Sequence, residues 1–418
     1  MEEFVKNQIV YGLKYLPGNL IRSYFIPKAS DETRSMRARG FLCGVCHPNE
    51  AYDLLRQGEI EWVRFDVPFP LDQDGALTPG YQTFKERCRG YADRGFRVMA
   101  VTPFPDAFVK NGIDPRTPAG EEKVRETAQF LVRDLQGLVG GFQISNEMGL
   151  PRFTLPLTVE EAARFVGVQA EVMYPERGDI LIGYNSAGPE ARLHSLLRPY
   201  HKYCDYVGVD IYLGCFAGVP GTLWMFEALL RYLWALTGKP VILQEFGYIS
   251  DGAPKTKAQR LAVLGDYGLK KERDAKPIIE QVVKQLPQAF LFFLYHDAKN
   301  DPSRLFDLLF HSDYRQHFYR EMPRFTRIPG YPHTPEGQAK FYDDLISRLY
   351  RLPFVAGTVV YCWADAETCG YCGQADCPVE TRWGLVDCSG KPKPSYFAVR
   401  RQFGRIRRDC NDQSAGKY

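Results

Sequence analysis

Two segments of the sequence each carry a glutamate at the end of an apolar, β-rich run. The run at 139–145 is followed by Asn146 and Glu147, and the run at 240–245 ends in Glu245. A carboxylic acid and an ionised carboxylate on either side of a glycosidic bond can protonate the departing oxygen and meet the positive charge that grows at the anomeric carbon. The two glutamates therefore indicate acid-assisted substitution at an acetal carbon, provided that the fold brings them to one place.

From residue 40 onward, short apolar runs alternate with longer amphipathic segments. Eight strands, each followed by a helix, predict an α/β fold, namely a (β/α)8 TIM barrel. Barrel enzymes carry their catalytic groups at the carboxyl ends of the strands, so Glu147 after strand four and Glu245 on strand seven should face each other at roughly 5 Å, the separation typical of retaining enzymes. The predicted strands are 40–45, 60–67, 96–102, 139–145, 179–184, 206–212, 240–245 and 357–363, and the predicted helices include 79–94, 121–138, 158–174, 189–202, 223–236 and 336–352.

The segments around both glutamates also carry a family resemblance. FQISNEMG and VILQEFGY resemble the strand-four and strand-seven signatures of the clan A glycoside hydrolases, which include cellulases, mannanases and β-galactosidases. The resemblance covers residues 40–247 and 334–403. It implies a retaining hydrolase with Glu147 as acid/base and Glu245 as nucleophile, and it implies that Asn146 hydrogen-bonds the sugar 2-hydroxyl.

Three further positions resemble residues of the same clan. The resemblance implies that Arg64 holds the nucleophile, that Tyr212 donates a hydrogen bond to it, and that Trp363 forms the floor under the sugar ring. By charge alone, a guanidinium beside Glu245 would keep that carboxylate ionised. Arg64 could also be a purely structural ion-pair partner, and Trp363 could be plain core packing.

Three polar residues near other strand ends are weaker candidates for sugar binding. They are His47, Asp66 and Asn185, which lie near the ends of strands one, two and five. Clan members often carry a histidine near the end of strand three, whereas this chain has VTPFPD there. The resemblance therefore assigns no sugar-binding residue on that side.

A long segment separates strand seven from its helix. Residues 249–333 far exceed the usual βα loop of about 2–6 residues, so we expect an inserted subdomain near the active-site face. It would serve either as a wall or lid over the pocket or as the contact in a homo-oligomer. Residues 1–39 are expected to extend over the bottom or side of a barrel at 40–405, and residues 406–418 to form a C-terminal tail.

Three cysteines cluster in the segment CGYCGQADC and invite a metal interpretation. Structural zinc needs four ligands in tetrahedral reach. Cys369, Cys372 and Cys377 provide three, and no fourth is clear unless Cys362 or Cys388 joins them. We therefore expect free thiols or an adventitious disulfide, with no bound metal and no cofactor, and structural zinc stays open as the alternative.

Composition and charge exclude several classes of protein. The net charge of +3 is spread over 53 basic and 50 acidic residues, which argues against a nucleic-acid partner. The densest apolar run, 289–295, is far too short to span a bilayer, and the N-terminus has no apolar core of the secretory type. Eleven cysteines, an odd number, fit free thiols in a reducing cytosol, so a cytoplasmic location is expected.

The expected partner is a carbohydrate, such as a short oligosaccharide or a small β-glycoside. Two other functions stay open at this stage. A transglycosylase would use the same residues and pass the sugar to an acceptor other than water, and a sugar-binding barrel would hold the ligand without turnover. The sequence does not distinguish glucose, galactose, mannose and xylose.

Overall fold

The structure is a computed structural model that describes residues 30–215, 222–322 and 327–415, together with Ile21 and Tyr24. Eight parallel strands form one closed barrel in chain order, with the last strand paired to the first. The predicted (β/α)8 barrel is therefore confirmed, and each predicted strand is present within a few residues. The strands are β1 Leu42–Cys46, β2 Trp62–Asp66, β3 Arg97–Val101, β4 Gly141–Ile144, β5 Leu181–Ala187, β6 Tyr206–Ile211, β7 Val241–Phe246 and β8 Val355–Val360.

The helices around the barrel begin where the sequence supplies caps. Thr78 and Thr158, for example, each accept a hydrogen bond from a backbone N–H of the first helical turn that follows them. The α-helices are α1 Asp31–Ala38, α2 Tyr52–Gln57, α3 Pro79–Ala92, α4 Pro105–Lys110, α5 Pro118–Asp134, α6 Pro151–Thr154, α7 Val159–Met173, α8 Ala191–Leu197, α9 Leu223–Thr237, α10 Lys257–Asp266, α11 Ile279–Val283, α12 Gln288–Asp297, α13 Leu305–His311, α14 Tyr314–Tyr319, α15 Pro335–Arg351, α16 Pro378–Thr381 and α17 Pro394–Ala415.

The lower half of the barrel interior is a packed core. The ring of Tyr206 lies in space left by Gly183, where a Cβ atom would be 2.5 Å from that ring. The Tyr206 hydroxyl donates to the backbone oxygen of Phe142 at 2.9 Å and accepts from Gln244 at 3.1 Å. Met36 of α1 packs against the same interior cluster. This packing fills the interior below the carboxyl ends of the strands.

The described part of the insertion, residues 249–322 and 327–333, contains the short helices α10 to α14 and buried apolar side chains of its own. Within the insertion, a 3-10 helix, Glu272–Ile278, is followed by the short α11. Pro277 lies at this junction and has no backbone N–H to donate to a continuous α-helix.

The expected terminal segments differ from the structure at one end. Helix α17 continues through Ile406, which is buried, so residues 406–415 belong to the last barrel helix and the predicted tail boundary at 405 is wrong. At the other end, α1 packs at the amino-terminal mouth of the barrel, and most of 1–29 lies outside the described residues. Within the described ranges, no helix combines the length and apolar character needed to cross a lipid bilayer.

Candidate active site

A cavity of about 1220 Å³ opens at the carboxyl ends of the strands. This volume exceeds the roughly 300–1,000 Å³ that is usual for small-molecule pockets, so there is room for more than one sugar ring. Seven of the nine predicted site residues line it, namely His47, Arg64, Asp66, Asn146, Glu147, Tyr212 and Glu245. The other two, Asn185 and Trp363, do not.

Glu245 reaches the cavity through an irregularity in β7. The preceding residue, Gln244, already points into the barrel, where it contacts Tyr206. Strict alternation would send Glu245 to the opposite face. Two consecutive residues of β6, the second being Asp210, pair with β7 residues that are two apart, and this bulge turns Glu245 to the mouth of the barrel.

Two side chains fix the Glu245 carboxylate. Arg64 on β2 forms an ion pair with Oε1 at 2.5 Å, and the Tyr212 hydroxyl donates to Oε2 at 2.5 Å. The same guanidinium donates to Asn146 Oδ1 at 2.8 Å and to Gln143 Oε1 at 2.7 Å. Arg64 is 1% exposed. One buried arginine therefore orients both Glu245 and Asn146.

Glu147 lies just beyond β4 in a different environment. Its backbone φ is +44° and that of Ser145 is +57°, conformations that non-glycine residues adopt at an energetic cost. Its N–H donates to Asn185 Oδ1 at 2.8 Å. Burial, and then the charge of Glu245, raise the pKa of the Glu147 carboxyl to about 8. Unlike the Glu245 carboxylate, the Glu147 carboxyl group has no ion-pair or hydrogen-bond partner within the described part of the chain, and its raised pKa favours the protonated form at neutral pH.

Asp210 is a third carboxyl group at the site, and sequence reasoning missed it. It is buried, its Oδ2 accepts from Asn185 at 2.6 Å, and its Oδ1 has no partner among the described residues. Burial, followed by the charges of Glu245 and Glu147, raises the pKa of Asp210 well above its usual value. The sequence held a signal for it, because residues two apart on a strand share a face and Asp210 lies two positions before the predicted site residue Tyr212. In the structure both residues line the cavity.

Asn185, expected to contact the sugar, does not line the cavity and contacts protein groups instead. It is fully buried, and both its amide nitrogen and its amide oxygen have protein partners. Its Oδ1 accepts from Glu147, and its Nδ2 donates to Asn146 at 2.9 Å and to Asp210. Asn185 therefore links the backbone of Glu147 to the two neighbouring polar side chains.

Trp363 does not form the floor of the cavity, because β8 ends three residues earlier than expected. The Trp363 side chain is 0% exposed, and its Nε1 donates to Asn49 at 2.7 Å. The half-buried Tyr361 lines the cavity instead, with its ring 5.6 Å from that of Tyr212 and 5.7 Å from that of His47. An aromatic surface is present, but a different residue supplies it.

His47 and Asp66 line the cavity with exposed side chains at the ends of β1 and β2. Both are accessible to a ligand. They remain candidates for polar contacts with a sugar.

The far wall of the cavity is built from segments that lie far apart in the sequence. Arg152 lies with its guanidinium 4.4 Å from the ring centre of Tyr371, and Tyr314 of the insertion and Glu380 line the same side. Burial raises the pKa of Glu380 to about 7. The insertion thus contributes directly to the wall of the cavity.

Comparison with known proteins yields structural similarity only. No protein-family model matches the chain, and no curated protein is similar to it in sequence. A β-glucuronidase from an uncultured Clostridium species aligns over 85% of this chain and 46% of its own, with 13% identity and a TM-score of 0.50. The β-glucuronidase of Parabacteroides merdae aligns over 87% of this chain and 37% of its own, with 9% identity and a TM-score of 0.50.

A family 39 glycoside hydrolase from Bacteroides cellulosilyticus aligns over 90% of this chain and 64% of its own, with 15% identity and a TM-score of 0.49. The chain thus spans less than two thirds of the length of each of these three proteins. At such low identities, the similarity to the two β-glucuronidases shows a shared fold and nothing more. The chain has a (β/α)8 barrel of the kind found in these glycosidases.

Proposed function

We propose that the chain is a retaining glycoside hydrolase that cleaves a β-glycosidic bond by double displacement. One observation carries the proposal: two glutamates line one cavity in opposite electrostatic environments. Glu245 is paired with Arg64, whereas burial holds Glu147 protonated with a pKa of about 8. A displacement of this type needs one ionised and one protonated carboxyl group.

In the first step, Glu147 gives its proton to the departing glycosidic oxygen while a carboxylate oxygen of Glu245 bonds to the anomeric carbon. The bond between that carbon and the departing oxygen breaks, and a glycosyl ester of Glu245 remains. Arg64 and Tyr212 hold the carboxylate in place for this attack. Their fixed dipoles need no reorganisation during the reaction.

In the second step, the Glu147 carboxylate takes a proton from water, and the water oxygen bonds to the anomeric carbon. The ester bond to Glu245 breaks, and the sugar leaves with its original configuration. Arg64 then stabilises the negative charge that returns to Glu245. Glu147 is again protonated, so the cycle closes.

In this proposal, Asn146 orients the sugar. Its Oδ1 accepts three hydrogen bonds, from Arg64, Gln143 and Asn185, and these fix which way the amide points. Its Nδ2 has no protein partner among the described residues. This donor is available to the sugar 2-hydroxyl, a contact that strengthens in the transition states of such enzymes.

The test is a screen of aryl β-glycosides with the wild-type protein and with Glu245→Ala, Glu147→Ala and a control, Glu122→Ala. Glu122 is an exposed glutamate on α5. We expect both site variants to lose activity and the control to keep it. Azide should rescue Glu245→Ala with a glycosyl azide of inverted configuration and Glu147→Ala with one of retained configuration.

Two results would favour other functions. If product analysis at high acceptor concentration shows sugar transfer in place of hydrolysis, the protein is a transglycosylase with the same site residues. If wild type releases no aryl group from any β-glycoside and Glu245→Gln binds sugar as wild type does, the protein is a sugar-binding barrel.

A further inference from the structure

Four metal-ligating side chains converge beside the active-site cavity. His317 comes from α14 in the insertion, and Cys369, Cys372 and Cys377 come from the loop that follows β8. All four residues are buried, and their ligand atoms lie within 4.8 Å of one another. The sequence showed three thiols without a fourth ligand, and the fold supplies that ligand from a position 52 residues before the first cysteine.

The distances within this cluster fit a tetrahedral metal centre. His317 Nδ1 lies 3.4 Å from the sulfur of Cys369 and 3.6 Å from that of Cys377. Zn–S bonds of about 2.3 Å and a Zn–N bond of about 2.0–2.1 Å, at tetrahedral angles, place nitrogen and sulfur about 3.5 Å apart. A ring nitrogen has one lone pair and accepts one good S–H hydrogen bond. A shared cation accounts for both short contacts at once.

The local backbone also suits a metal. Cys369 and Cys372 form a C-x-x-C pair, and the N–H of Gly373 donates to the oxygen of Cys369 at 2.8 Å, which closes a tight turn around the two sulfurs. Gly373 has a φ of +68°, a conformation that glycine adopts without strain. Pairs with this spacing are common in structural zinc sites.

We propose that Cys369, Cys372, Cys377 and His317 bind one structural zinc ion. Three thiolates and one imidazole form a closed set of four protein ligands, which leaves no position for water or substrate. The set is soft and rich in sulfur, which selects zinc over magnesium or calcium. The proposal does not depend on the glycosidase activity.

The ion joins two parts of the chain that build the far wall of the cavity. His317 lies one turn after Tyr314, and Tyr371 lies between the first two cysteines; all three residues line the cavity. A second contact joins the insertion to the loop after β8, because the Arg320 guanidinium donates a hydrogen bond to Gln374 at 2.8 Å. The zinc therefore holds the insertion against the loop after β8 and acts as a positioning element outside the reacting groups.

The test is metal analysis of the full chain, purified without added metal or chelator, by inductively coupled plasma mass spectrometry. We expect about one zinc ion per chain. Growth with cobalt should give the sulfur-to-metal charge-transfer absorption and the strong visible bands of a tetrahedral Co(II) thiolate site. Removal of the zinc with a chelator should lower Tm, and re-addition of Zn²⁺ should restore it.

Variants separate this cluster from the other thiols. Cys369→Ser and His317→Ala should each lose most of the metal, whereas Cys388→Ser, which changes an exposed cysteine, should keep it. Because a cluster variant could fail to fold, the wild-type measurement is decisive. If the wild-type chain contains no zinc and binds none from a Zn²⁺ solution in equilibrium dialysis, or if its mass is 2 Da lower from a disulfide among these cysteines, the proposal is overturned.

Discussion

The carboxyl ends of β4 and β7 each present a glutamate to the same cavity, but the two carboxyl groups have different hydrogen-bond and ion-pair partners. At β7, one carboxylate oxygen of Glu245 is ion-paired with Arg64, and the other accepts a hydrogen bond from the Tyr212 hydroxyl. At β4, Glu147 has its backbone held by Asn185 and its carboxyl group left without a partner among the described residues. The identity of the side chain therefore does not decide its role. The position of Arg64, which is bonded to Glu245 and Asn146 but not to Glu147, does.

The largest effects should come from removing the two carboxyl groups one at a time. Glu245→Gln should lower kcat/KM by roughly 10⁴- to 10⁶-fold on every aryl glycoside, as expected for loss of a covalent nucleophile. Glu147→Gln should cost about 10²- to 10⁴-fold on substrates with poor leaving groups and far less on a 2,4-dinitrophenyl glycoside, which departs without a proton. Initial rates across a series of leaving groups measure both. Equal losses for the two variants on all substrates would contradict the assigned difference.

The Arg64–Glu245 pair should also be important for stability. Arg64→Met leaves a buried carboxylate without its cation, and breaking such a pair costs about 3–5 kcal/mol. The free energy of unfolding in urea measures this loss. Glu245→Gln combined with Arg64→Met removes both charges and should recover part of it. A double variant no more stable than Arg64→Met would show that the ion pair is not the source of the effect.

Asn185 should matter less, because it acts through its neighbours. Asn185→Ala removes the acceptor for the Glu147 N–H and the donor to Asp210, and unsatisfied buried polar groups cost about 1–3 kcal/mol. We expect lower stability and a reduced kcat, with a smaller change in KM because the side chain does not line the cavity. Thermal unfolding and steady-state kinetics test this. A large rise in KM with kcat unchanged would assign Asn185 to sugar binding instead.

The smallest expected effect is a loss of activity at alkaline pH. Glu147 must be protonated to act as an acid, and its pKa is raised to about 8. Activity should therefore fall as pH rises through about 8, by about tenfold per pH unit. Because folding raises this pKa, protonated Glu147 also contributes to the free energy of unfolding. This contribution is lost as pH rises from 4.5, the ordinary pKa of a glutamate, through about 8.

Profiles of kcat/KM against pH, measured for wild type and Glu147→Gln on a phenyl glycoside, whose poor leaving group needs the proton from Glu147, test this assignment. The variant should lack the alkaline limb. If both proteins show the same limb, the titrating group is not Glu147.

The sequence by itself was enough for the barrel and for the two glutamates. The eight strands could be predicted because parallel strands buried on both faces are short apolar runs, and that signal is local to each segment. Glu147 and Glu245 followed from the same segments, since a residue at the carboxyl end of a barrel strand must lie at one mouth. The expected places of Arg64 and Tyr212 beside Glu245 came from their resemblance to residues of the clan A glycoside hydrolases.

Only the tertiary structure decided where other side chains point. The bulge in β7 that turns Glu245 inward depends on its pairing with both neighbouring strands, and a shift of one residue reverses the face of a side chain. Because β8 ends earlier than predicted, Tyr361 lines the cavity in place of Trp363. His317 joins three distant cysteines through the packing of the insertion, which no local pattern encodes. Strand identity is set by neighbouring residues, whereas the final direction of a side chain is set by contacts between segments far apart in the chain.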